Sequence, residues 1–353
     1  TRGLERNSYI ILIKIVGIEM NYSRKIIFDA RWLGPHGIGR FAKEIYDNNE
    51  SFKPLKLRSN PASPLDPFKL SLYLAFNHKN DIFLTPGYNP PLFNFKKTII
   101  TVHDLNHIDV EHNSSYLKKI YYNLILKRAC KKVPIILTVS EFTKQRIVEW
   151  ANIKPTKVYV VGNGVSKEFN RDVKPFIYSK PYFLIVGNRK KHKNEISSLK
   201  AFKLLKTDEY KVLITGSASP ELMDYINNES LNDNVHFIGP QTDSELASLY
   251  KGAAALVFPS LYEGFGLPVV EAMSCGTPVI TSNVSSLPEI SGDAAILVNP
   301  LNINEIASAM NSIINDNSLK SELIEKGYKV SKHYNWDIVR AKVKDAITKM
   351  HNK

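Results

Sequence analysis

Short apolar runs of strand length alternate with longer segments of helical periodicity from Lys25 to about Asp316. Such alternation predicts parallel sheets with helices on both faces, a doubly wound pattern that here runs twice. In the first half the strand signals are Lys25–Asp29, Ile82–Leu84, Thr98–Val102, Ile135–Val139 and Val158–Val161, with helices near Ile38–Asn49, Tyr116–Lys131 and Glu141–Ala151. The second half has Phe183–Val186, Val212–Thr215, Val235–Ile238, Ala254–Phe258, Val279–Thr281 and Ile296–Val298, again with helices between. Thr242 and Glu245 form a capping box, Pro268 suits a first helical turn, and Gly276 suits a helix end. Pro54 to Pro67 carries four prolines and reads as a loop.

A polar stretch from Asn170 to Pro181 separates two strand signals and is the expected linker. The expected organisation is an extension over 1–19, an N-terminal domain over 20–174, a C-terminal domain over 175–335, and a helix over 336–353 returning to the first domain. The run Tyr9–Ile18 is interrupted by Lys14 and lacks a small-residue cleavage site, so it resembles a signal peptide only superficially.

Length supports this organisation, since 353 residues suit two α/β domains of roughly 150–180 each. Charge adds something new: 47 Lys and Arg against 34 Asp and Glu leave +13, which favours an anionic partner. No apolar run reaches the roughly 18 residues of a membrane span. Two cysteines, Cys130 and Cys275, form no C-x-x-C pair and fit a reducing cytoplasm.

Ligands of open α/β sheets bind beyond the carboxyl ends of the strands. The richest such segment runs from Phe258 through Glu263-Gly-Phe-Gly-Leu-Pro-Val-Val-Glu271 to Gly276. Its glycines permit close backbone approach, the following helix offers free N–H groups, and both carboxylates can accept from ligand hydroxyls. Two solvated glutamates on a strand–turn–helix are the plainer alternative. After the first strand of the second half comes Val186-Gly-Asn-Arg189-Lys-Lys-His-Lys193-Asn, a diphosphate clamp or a solvated basic turn. His103 ends a first-half strand in Thr101-Val-His-Asp-Leu. Gly34-Pro-His-Gly37-Ile-Gly39-Arg40 follows the first strand, where a G-x-G alone is a weak signal. His36 in that turn is expected to be exposed.

The Glu-seven residues-Glu spacing, with Pro278-Val-Ile-Thr-Ser and Leu287-Pro-Glu289, resembles the retaining glycosyltransferases of family four, which have the GT-B fold of two Rossmann-like domains facing a cleft. The resemblance covers about Lys25 to Trp336, and the Gly-Ile-Gly-Arg form is similar to the O-antigen mannosyltransferase subgroup. It implies catalytic roles for His103, Glu263 and Lys193. It implies donor binding by Glu271, Arg189, the loop amides of Gly264, Phe265, Gly266 and Leu267, and the turn of Gly37 and Gly39. The family's Arg position holds Asn188 here, with Arg189 one place on. Thr138-Val-Ser140 and Gly162-Asn-Gly164-Val are further landmarks, read as a helix cap and a turn.

The implied substrate is a nucleotide-diphosphate sugar, GDP-mannose favoured, passed with retention to a saccharide or lipid-linked glycan in bacterial surface polysaccharide synthesis. No cofactor is expected, and the absence of a D-x-D pair predicts independence of metal. The expected place is the cytoplasm, peripherally at the inner face of its membrane, where Tyr116–Lys132 with six Lys or Arg could lie on anionic lipid or be an ordinary surface helix. A sugar phosphorylase of the same fold is one alternative. A non-catalytic nucleotide or RNA binder is another, although the dispersed basic residues and lack of a recognition motif argue for no nucleic acid partner.

Overall fold

The structure is a computed structural model and describes residues 25–47, 49–110 and 116–351, so the 1–19 extension and the Tyr9–Ile18 run lie outside the described residues. Six strands make the first sheet: β1 (Ile26–Phe28), β2 (Phe52–Pro54), β3 (Ile82–Thr85), β4 (Thr98–Thr101), β5 (Ile135–Thr138) and β6 (Val158–Val160). Six more make the second: β7 (Tyr182–Ile185), β8 (Lys211–Ile214), β9 (Val235–Phe237), β10 (Ala255–Phe258), β11 (Val279–Ser282) and β12 (Ile296–Val298). Every pairing is parallel, in the orders β2-β1-β3-β4-β5-β6 and β12-β11-β10-β7-β8-β9. The α/β expectation of two doubly wound sheets therefore holds. Each order reverses once, beside β1 in the first sheet and beside β7 in the second, and each reversal opens a crevice at the strands' carboxyl ends.

Eleven strand signals lie within a residue or two of the observed strands, and the helix Glu141–Ala151 has the expected limits. Two elements beside the proline-rich stretch were not anticipated. Pro54 closes β2, which lies at the sheet edge where a missing N–H costs no ladder bond. Pro67 lies in the first turn of the helix Asp66–Asn77, where no donor is needed. The expected Tyr116–Lys131 helix is present, with a π-helical middle at Tyr122–Leu126. Thr242 and Glu245 form the capping box, and Gly276 ends its helix at φ +77.

Apolar layers cover both faces of the first sheet. Phe41 and Ile45 of the Gly37–Tyr46 helix pack on one face with Trp336, Val339, Val343 and Ile347 of the helix Trp336–His351. Leu70 and Leu74 cover Ile27 and Phe83 on the opposite face, and beside them Tyr122, Leu126 and Ile147 cover Ile100 and Ile136. Both cysteines are buried and free. Among the described residues no helix is long and apolar enough to cross a membrane.

Candidate active site

The loops that leave β1, β4, β7 and β10 carry the candidate residues, and those of β1, β7 and β10 leave at the two reversals. Glu271 lies in the helix Leu267–Cys275, which begins after Gly266 at φ +102 with Pro268 in its first turn. The residue is only 4% exposed, yet it borders a cavity of about 1460 Å3. Gly37, Gly39 and Arg40 of the first half line this cavity from across the cleft, along with Leu267 and Asp243 of the second. Arg40 Nη1 donates to Glu271 Oε1 at 2.6 Å, and its Nη2 donates to Asp243 Oδ1 at 2.6 Å. Tyr250 donates its hydroxyl to Glu271 Oε2 at 3.2 Å. Burial pushes the Glu271 carboxyl up from its ordinary value against the pull of the Arg40 charge. His36 is exposed and caps the Gly37–Tyr46 helix, its Nδ1 accepting from the Gly39 amide at 2.9 Å.

Glu263 forms a separate pair with Lys193, whose Nζ lies 2.6 Å from Oε1 and 5.0 Å from the Phe258 ring centre. Ser285 and Ser286 hold the loop around it: Ser285 Oγ accepts from the Glu263 amide, and Ser286 Oγ donates to the Glu263 and Phe265 carbonyls. The Phe265 side chain is buried against Tyr334 and Val139, which leaves only its backbone for a ligand. Arg189 does not join Lys193. Its backbone sits at φ +63, its guanidinium lies 2.8 Å from Glu195, and it donates to the Thr215 carbonyl, tying it back into its own half.

His103 stands half-buried after β4, edge-on to Phe41 at 4.9 Å. Its Nε2 meets the Pro86 carbonyl at 2.8 Å, which fixes the hydrogen on Nε2 and makes Nδ1 the ring's acceptor when neutral. Burial lowers its pKa, more than the Pro86 carbonyl and nearby Asp104 raise it. The backbone of Gly264 lies directly against this histidine: a Cβ there would fall 2.2 Å from the His103 carbonyl oxygen. Ser140 Oγ and Thr143 Oγ1 donate to the Gly264 carbonyl at 2.6 and 3.1 Å, joining the halves again.

Sequence reasoning did not assign Arg40, Asp243 or Tyr250 to the site, and it left Glu289 without a role. The Glu289 carboxylate accepts from the amides of Glu141 and Phe142 at 2.8 and 3.0 Å, so it caps a helix of the opposite half. Tyr262 adds a fourth tie, donating to Asp109 at 2.8 Å. The contiguous stretch Leu287-Pro-Glu289 signalled that something was held there, but not what.

Two doubly wound sheets facing a cleft, with a glycine turn between paired glutamates, define a glycosyltransferase of the GT-B class. The chain belongs to glycosyltransferase family 4: the profile described as Glycosyltransferase Family 4 matches residues 28–169, and that described as Glycosyl transferases group 1 matches residues 166–330. Over 250 residues it is 33% identical to the O-antigen chain mannosyltransferase RfbU of Salmonella typhimurium, covering 69% of this chain and 67% of the relative. Over 276 residues it is 26% identical to the O-antigen chain mannosyltransferase B of Escherichia coli, covering 74% and 72%. The structure of Anabaena Alr3699/HepE in complex with UDP superimposes with a TM-score of 0.73 at 15% identity, covering 92% of this chain and all of that one.

Proposed function

We propose that the chain moves a hexose, mannose in first place, from a nucleotide-diphosphate sugar such as GDP-mannose to a saccharide or lipid-linked glycan of a bacterial surface polysaccharide, with retention and at the inner face of the cytoplasmic membrane. The observation that carries this reading is Glu271, a buried carboxylate facing a large cavity and held by a displaceable cation from the opposite half. Ribose hydroxyls would take the place of the Arg40 guanidinium on Glu271, and that guanidinium would turn to the diphosphate. The free amides and positive end of the helix Leu267–Cys275 would stabilise the leaving group together with Lys193. Neutral His103 offers Nδ1 to a donor hydroxyl beside Glu263. The mannose preference is supported by the relatives at 26% and 33% identity, both of them O-antigen chain mannosyltransferases.

Thermal shifts with UDP, GDP, dTDP, CDP and ADP, with and without Mg²⁺, test the reading. A ligand at 100 times its dissociation constant stabilises by about 2.7 kcal/mol. GDP is expected to shift wild type without metal and to lose that shift in Glu271→Ala. Silence from all five nucleotides would overturn the proposal, and a shift confined to another base would overturn the mannose donor.

A further inference from the structure

Glu263 belongs to the second half, yet both of its neighbours in sequence are fastened to the first. On one side the Gly264 carbonyl accepts from Ser140 and Thr143, and the Gly264 backbone lies against the His103 carbonyl. On the other side Tyr262 inserts its side chain into a first-half socket and is only 7% exposed. Its ring meets the Phe142 ring at 5.6 Å. Its hydroxyl reaches two groups of the segment that follows His103, accepting from the Leu105 amide at 3.3 Å and donating to Asp109 Oδ2 at 2.8 Å.

Leu105 is buried, so its amide needs a partner, and among the described residues the acceptor it finds is this hydroxyl from the opposite half. Asp109 closes the short helix Asn106–Asp109 and is held in turn by Arg146 of Glu141–Ala151, which donates from Nε to Oδ2 at 3.0 Å and from Nη2 to Oδ1 at 2.7 Å. Such a forked grip leaves the carboxylate little freedom to turn. Burial, with the Asp109 charge beside it, pushes the Tyr262 hydroxyl well above its ordinary pKa, so it stays protonated and keeps donating. The chain of contacts runs Leu105, Tyr262, Asp109, Arg146, with only Tyr262 drawn from the second half.

We infer that Tyr262 is a positioning residue: it sets the distance between His103 and Glu263 by fixing the loop after β4 to the loop after β10, with Asp109 and Arg146 as its anchor. Its hydroxyl is spent on Leu105 and Asp109, so it acts through those two loops. Phenylalanine at this position would keep the ring packing and lose both hydrogen bonds, which separates positioning from packing. The inference rests on the proposed function in taking His103 and Glu263 to flank the donor sugar; the tie between the loops stands without it.

Wild type, Tyr262→Phe, Asp109→Ala and the double variant test it with two readouts. Amide hydrogen exchange, followed by mass spectrometry, reads the segments 101–109 and 260–267. Release of GDP from GDP-mannose, with water as the acceptor, reads kcat and KM. Tyr262→Phe is expected to speed exchange in both segments and to lower kcat at least about tenfold, with KM within about twofold of wild type. The double variant should lose no more than the worse single one, since both changes cut the same tie. Wild-type exchange and kcat in Tyr262→Phe, or losses that multiply in the double variant, would overturn the inference. Should Tyr262→Phe not fold, Asp109→Ala takes its place, and wild-type exchange over 260–267 in that variant would overturn the inference equally. A wild type that releases no GDP counts against the mannose transferase reading alone, and the exchange comparison then decides the tie.

Discussion

Arg40 and Glu271 are 231 positions apart and depend on each other across the cleft. Removing the cation leaves a buried carboxylate uncompensated, so Arg40→Met should cost about 3 kcal/mol of stability. Most of that loss should return in Arg40→Met/Glu271→Gln, because the second change removes the charge that lacked a partner; denaturant midpoints of the four proteins in the cycle decide this. His103 makes a different prediction. Its folded pKa lies below its unfolded value, so as pH falls below about 6.5 the unfolded chain takes up a proton first. The stability its burial contributes is therefore present above that pH and lost as pH falls toward the folded value. His103→Gln should flatten the fall in stability between pH 7 and 5.5 relative to wild type, and an unchanged slope would assign the fall to other groups.

Among the elements, the glycine turn after β10 is the most tightly constrained. An alanine at position 264 would drive its Cβ into the His103 carbonyl, and the loop would have to back out of the cleft. Misplacement by about 1 Å costs on the order of 100-fold in rate, so Gly264→Ala should lower kcat by at least about tenfold while nucleotide affinity, which the proposed function assigns to Glu271, changes little. Just after β1, Arg31 bridges the buried Asp29 and Asp66 with contacts of 2.7 Å and anchors the start of Asp66–Asn77. That helix was illegible in the sequence because its outer face is as apolar as its inner one, which erases the period a reader looks for. Glu141–Ala151, with Ile147 and Ala151 inward and charge outward, showed both its limits. The site divides similarly. Glu263, Glu271 and Lys193 were legible because local loops carry them, whereas Arg40, Asp243 and Tyr250 join only when distant segments meet. For Arg189 the loop was legible in the sequence, but its ion pair with Glu195 was not.

At the scale of the molecule, the two halves touch through polar clasps as well as through packing. Glu289 caps Glu141–Ala151, Ser140 and Thr143 hold Gly264, Tyr262 reaches Asp109, and Arg40 spans to Glu271. Only the last lies where ribose would bind, so nucleotide binding should exchange one clasp and keep the rest. Glu289→Ala should cost about 1 kcal/mol and favour opening. Solution scattering is the readout: a larger radius of gyration for the variant without nucleotide, restored by nucleotide, is the expected result, and identical curves would reduce Glu289 to a local cap.

The chain passes between the sheets twice, after β6 and again before Trp336. These passages lie side by side: the Val165 amide donates to the Tyr334 carbonyl at 2.9 Å, and Gly164 leaves no room for a Cβ against Trp336. One strand would act as a swivel, free to twist. Two strands fastened together act as a leaf spring, which bends readily in one direction and resists torsion, so the cleft can gape and shut while its walls keep their register.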